Sequence, residues 1–125
     1  MPDEPVLKAK LILNASGKPK IVHSGEHDHY SIELFVDNVP KAVSLVQYTL
    51  HPSYYDPVRD NRGAQPKFAE EITSYGDFKV RAKLEGSDGP ALVRGALSDM
   101  LKEYHASTET LTPDIAAAIE KIAEN

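Results

Sequence analysis

No cysteine occurs anywhere in the 125 residues, which excludes a disulfide framework, a thiolate metal site and a cysteine nucleophile. No apolar run approaches the roughly 20 residues that a membrane-spanning helix needs, so no membrane association is expected. The opening residues, MPDEPVLKAK, lack the apolar core of a cleaved export signal, and a cytoplasmic address is the expectation. Basic clusters are scarce as well. The densest is the alternation Lys79, Arg81, Lys83, within a chain of 14 basic and 19 acidic residues and net charge −5. Binding along a phosphate backbone wants a basic stripe, so nucleic acid is not an expected partner. There is no glycine-rich phosphate loop and no nucleophile elbow. His51 and Ser53 stand only two residues apart, a poor arrangement for a base and its nucleophile. Catalysis and a cofactor are therefore not expected.

What remains is an ordinary globular mixture, 41% hydrophobic and 26% charged, of one domain's length. Its pattern changes near residue 86. Before that point short alternating runs are cut by turn residues. Val6 to Leu13, Lys20 to His23, Tyr30 to Val36, Ala42 to Leu50, Lys67 to Thr73 and Asp77 to Leu84 read as strands. Residues 51–66 read as a loop with a short strand at Val58 and Arg59. The run from Asp77 is the cleanest, with Phe78, Val80, Ala82 and Leu84 inward and Lys79, Arg81, Lys83 and Glu85 outward. Several such strands predict an antiparallel β-sandwich over residues 1–86.

Beyond it, residues 90–125 read as a C-terminal helical extension packed on or beside the sandwich. Leu92, Val93, Ala96, Leu97, Met100, Leu101 and Tyr104 recur at helical spacing, predicting a helix from about Ala91 to His105. Thr112 is placed to cap a second helix, with Pro113 at its first position and Ile115, Ile119 and Ile122 on one face. The fold class is thus mainly β with two C-terminal α-helices.

Two segments carry the chemistry. The first is Val46-Gln-Tyr-Thr-Leu-His-Pro-Ser-Tyr-Tyr-Asp-Pro-Val-Arg59 and the second Phe68-Ala-Glu-Glu-Ile-Thr-Ser-Tyr-Gly-Asp-Phe-Lys-Val80. Together, in this order, they resemble the YEATS domain family, especially its prokaryotic form: a strand ending in Leu-His-x-Ser-aromatic, a Pro-Val-Arg stretch, a Phe, then aromatic-Gly-x-Phe opening a strand. The likeness covers roughly residues 20 to 85.

It implies an immunoglobulin-like sandwich and a non-catalytic recognition module for an acylated lysine or a similar small planar amide, carried by an acylated peptide or a small molecule. Acylation removes the lysine charge and lets the group be desolvated, and a flat amide stacks on aromatic faces. By this resemblance His51 forms part of the pocket wall, Ser53 hydrogen-bonds the ligand amide, Tyr54 and Tyr75 are the rings of a cage, and Gly76 lets the backbone approach closely. Asp77 and Glu26 stand where they could meet a basic peptide at the rim. The apolar stripes of the C-terminal helices leave an alternative, an adaptor that docks a protein partner through them, for which the resemblance implies a prokaryotic signalling or defence system.

One further cluster is His23-Ser-Gly-Glu-His-Asp-His29. His27 and His29 share a side of an extended chain, and His23 would complete a set of imidazole ligands. The spacing matches no recognised site. No metal is expected, and His23, His27 and His29 are the residues that would carry one.

Overall fold

Alternation of apolar and polar residues builds two antiparallel four-stranded sheets in the computed structural model, which describes residues 5–24, 27–39, 43–52, 54, 56–62, 68–74, 76–86 and 91–124. The first sheet holds β1 (Val6–Leu11), β2 (Ile21–Ser24), β3 (His27–Asp37) and β6 (Glu70–Ser74). The second runs in the order β5 (Val58–Asn61), β4 (Val43–Thr49), β7 (Lys79–Gly86), β8 (Ala91–Ala96). Helices α1 (Leu97–Ser107) and α2 (Pro113–Glu124) follow.

The inner faces supply one continuous core. Leu7, Ala9, Leu11, Ile32, Leu34, Val36 and Ile72 come from the first sheet, and Val46, Tyr48, Leu50, Val80, Ala82 and Leu84 from the second. Each fully buried aliphatic side chain contributes on the order of 1.5–3 kcal/mol. Tyr48 is wholly buried, and its hydroxyl donates to the Phe68 carbonyl oxygen at 2.6 Å, so the core accommodates a phenol without an unsatisfied polar group.

The strand at Lys20 to His23 does not pair with β1. Instead β1 and β2 lie in line on the same edge of β3, with Leu11 opposite Ile32 and Ile21 opposite Tyr30. Between them the chain makes a small excursion closed by a bridge from Leu13 to Pro19. The Asn14 side-chain oxygen accepts from the Ser16 and Lys18 N–H groups, and Gly17 takes a positive φ of 77° that suits a residue without Cβ.

The expected helix from Ala91 is also corrected. Residues 91–96 form β8, paired with β7 from Leu84 opposite Ala91 to Lys79 opposite Ala96. β7 and β8 are thus consecutive antiparallel partners, where the sequence suggested a break before a helix. Two local causes stand out. Gly95 is a poor helix former, and a Cβ there would come within 2.7 Å of the Met100 sulfur. Helix formation begins instead where capping is available. The nominal cap, Ala96, offers no side-chain acceptor. Asp77 serves in its place, accepting from Ser98 N–H at 2.9 Å and Ser98 Oγ–H at 2.7 Å, while Leu97 N–H reaches the Phe78 carbonyl at 2.9 Å.

In α2, Thr112 caps as the sequence suggests, its Oγ accepting from Ile115 N–H at 3.3 Å. Leu97, Met100 and Leu101 of α1 and Ile115, Ala118, Ile119 and Ile122 of α2 join the core. The apolar stripe expected between Leu92 and Leu101 is therefore not one exposed docking face. Its helical members are spent on packing, and only Leu92, on β8, is strongly exposed.

The two lateral openings of the sandwich are closed differently. On one side α1 packs along β1, and the buried His105 Nε2 accepts from Leu11 N–H at 3.0 Å. On the other, β5 reaches across to β6: Arg59 donates to the Glu71 carbonyl at 3.3 Å and Asn61 to the Ala69 carbonyl at 2.8 Å.

Candidate functional site

The candidate residues belong to two loops at one end of the sandwich, β4–β5 and β6–β7. The first loop leaves the core at buried Leu50. A hydrogen bond from Leu50 N–H to the Pro57 carbonyl (2.6 Å) closes its base, and one from Tyr54 N–H to the His51 carbonyl (3.0 Å) makes a turn at its start. That turn puts His51 and Tyr54 against the same ring, Phe78. The His51 and Phe78 centroids are 6.2 Å apart with an interplanar angle of 68°, and those of Tyr54 and Phe78 are 5.5 Å apart at 55°.

The Tyr54 phenol is fixed at its far end, donating to the Thr73 carbonyl at 2.6 Å. Partial burial pushes its pKa above the ordinary phenol range, only partly opposed by Ser74 and the Arg59 charge. The group therefore stays a neutral donor at any physiological pH. The Arg59 guanidinium lies 5.9 Å from the Tyr54 ring centroid, within cation–π range. Tyr54 is thus a ring of set orientation, held between Phe78 and Arg59, whose hydroxyl is already engaged.

The second loop is ordered from both ends. Ser74 Oγ donates to the Gly76 carbonyl at 2.7 Å and lies 3.3 Å from Gly76 N. One residue on, the Asp77 carboxylate caps α1 through Ser98, as described above. Asp77 is therefore committed to the helix rather than presented at a rim.

Of the sequence-predicted residues, His51, Tyr54 and Gly76 lie on these two facing loops, with His51 exposed and Tyr54 half-buried. Ser53, Tyr75 and Glu26 lie outside the described residues. Phe78, read from sequence as purely a core residue, is only partly buried and joins His51 to Tyr54. Its place directly after the Gly-x step, at the mouth of a strand, was the available signal. Arg59 was legible only as part of a motif, because its partners lie on β6.

The histidine cluster does not converge. Directly opposed residues of an antiparallel pair share a face, so His23, opposite Asp28, and His29, opposite Val22, lie on opposite faces. His23 Nδ1 is 2.6 Å from Asp28 Oδ1. The His27 side chain lies outside the described residues. Among the described residues no group of three His, Asp or Glu side chains is placed to hold a metal ion.

A family model described as the prokaryotic YEATS domain matches residues 30–92. The chain belongs to the prokaryotic YEATS family. Both loops, and the strands that carry them, fall inside the matched span. No curated protein sequence matches the chain. Solved YEATS structures do. The yeast Yaf9 YEATS domain bound to H3K27ac superposes with a TM-score of 0.52 at 24% identity, covering 74% of this chain and 70% of that one. Yaf9 described as the yeast AF-9 homolog gives 0.51 at 22%, covering 78% and 70%. The Yaf9 domain recognizing an H3K122suc peptide gives 0.50 at 22%, covering 78% and 75%. At these identities the likeness establishes the fold, a YEATS-type immunoglobulin-like sandwich.

Proposed function

We propose that this YEATS domain is a non-catalytic recognition module that takes an acylated lysine, or a similarly small planar amide, between the β4–β5 and β6–β7 loops. The observation that carries the reading is the fixed aromatic group His51, Phe78 and Tyr54 on two loops that rigid strands hold face to face. Tyr54 acts as an aromatic wall through its ring, since its hydroxyl is bound to Thr73. Tyr75 supplies the second ring, and the Ser53 hydroxyl with backbone groups near Gly76 satisfies the ligand amide. Those bonds matter because an unpaired buried amide group costs about 1–3 kcal/mol. Of the solved structures named above, one is bound to H3K27ac and one recognizes an H3K122suc peptide, which supports the ligand class.

The test is an NMR titration of the protein with acetyl-lysine, crotonyl-lysine and unmodified lysine peptides. Saturable shifts at His51, Tyr54 and Tyr75 with acylated peptides alone are expected, and Tyr75→Ala should remove them while leaving the rest of the spectrum folded. Equal response to unmodified lysine, or none to any acyl group, rejects the reading.

A further inference from the structure

The outer faces of the two sheets treat their cations differently. On the first sheet Lys8 pairs with Asp37 at 2.8 Å and Lys10 with Glu33 at 3.3 Å, so the face neutralises itself. On the second sheet the β7–β8 register sets Arg81 directly opposite Arg94. Side chains so placed have Cβ atoms about 4.5–5.5 Å apart, and like charges there oppose pairing. Lys79 lies two residues along the same face. Among the described residues none forms an ion pair with Lys79, Arg81 or Arg94. Across the row the register continues from Arg81 to Thr49 and Val58, and the next row ends in Leu92 opposite Lys83. Val58 and Leu92 are 52% and 61% exposed, the two most exposed large apolar residues described.

We propose that this outer face, centred on Arg81 and Arg94, docks an acidic polypeptide segment of a partner protein. Three cations without an ion-pair partner among the described residues sit within a chain of net charge −5, at a cost to sheet pairing that an anionic partner would reverse. Arginine beside exposed aliphatic side chains is the composition of a protein-binding surface. The patch suits carboxylates interleaved with apolar side chains better than a phosphate backbone. Affinity for nucleic acid grows with a long run of phosphate contacts, whereas this patch is short and flanked by Asp60 and Glu85 on the same face. The surface borders the two loops of the candidate site at Thr49, Val58 and Lys79 but shares no residue with them.

The probes are a synthetic dodecapeptide alternating Glu and Leu, its Lys-for-Glu counterpart, and a 20-base-pair DNA duplex, followed by fluorescence anisotropy and amide shifts. The Glu peptide is expected to bind and to shift Leu92 and Arg94, weakening at least tenfold between about 50 and 300 mM salt. Arg94→Glu should weaken binding at least tenfold, with a melting temperature unchanged or raised because the new carboxylate would face Arg81. Arg94→Gln, which only removes the repulsion, should weaken it less. Absence of binding by the Glu peptide, equal binding by Arg94→Glu, or tighter binding of the duplex or the Lys peptide each overturns the proposal.

Discussion

The two lateral openings of this sandwich solve one problem by different physics. A strand edge exposes unpaired N–H and C=O groups, which invite another chain to pair with them. Along β1 the edge is covered by a helix and one amide is met by a buried imidazole. Along β6 it is met by two long polar side chains, Arg59 and Asn61, at a half-buried boundary. The first closure excludes water and draws on apolar burial. The second stays partly wet, where charge is screened. Stability should therefore concentrate on the helical side.

The largest expected effect is the loss of that burial. Leu101 is fully buried in the shared core, and Leu101→Ala should cost about 2–5 kcal/mol in chemical denaturation. A loss below about 1 kcal/mol would mean that α1 is only loosely attached.

Next comes His105. Its Nε2 accepts from Leu11 N–H, so Nδ1 carries the proton and donates to Thr110 Oγ at 2.8 Å. Burial, with Lys10 nearby, lowers its pKa below the ordinary histidine value of 6.5. The folded protein thus binds fewer protons than the unfolded chain. The resulting stabilisation is full above about pH 6.5 and is lost as pH falls from there towards the lowered folded value. His105→Gln should flatten this acid dependence, measured as melting temperature between pH 7.5 and 5. An unchanged slope would show that other groups set it.

The smallest effect belongs to the other side. Arg59→Ala should cost no more than about 1 kcal/mol, as partly exposed ion pairs usually do. Hydrogen exchange should show β5 and β6 amides opening sooner than Leu11. The reverse order would invert the comparison.

The sandwich was legible because strand alternation is local: Phe78 to Leu84 alone announces a half-solvated strand. The loop motif from Leu50 to Arg59 and the Tyr75 to Phe78 step were legible through their family pattern. What escaped was decided by distant partners. Leu92, Val93, Ala96 and Leu97 fit a helical period and a strand equally well over so short a stretch. Only pairing with β7 and the Asp77 carboxylate decide where the strand ends and the helix starts. His105 looked like the polar end of a helix because its partner lies 94 residues earlier. The opposition of Arg81 and Arg94 was hidden for the same reason, since register across a hairpin is not written in either strand alone.

The excursion between β1 and β2 has a consequence for how this scaffold can be rebuilt. Both strands are held in register by β3, and the turn from Asn14 to Lys18 is exposed. Chain length there is decoupled from both sheets, since lengthening a closed loop costs only about 0.6 kcal/mol per doubling. The tip at Ser16 and Gly17 is thus a natural graft point, where a tag or a whole second module could be spliced into the domain rather than hung from its ends.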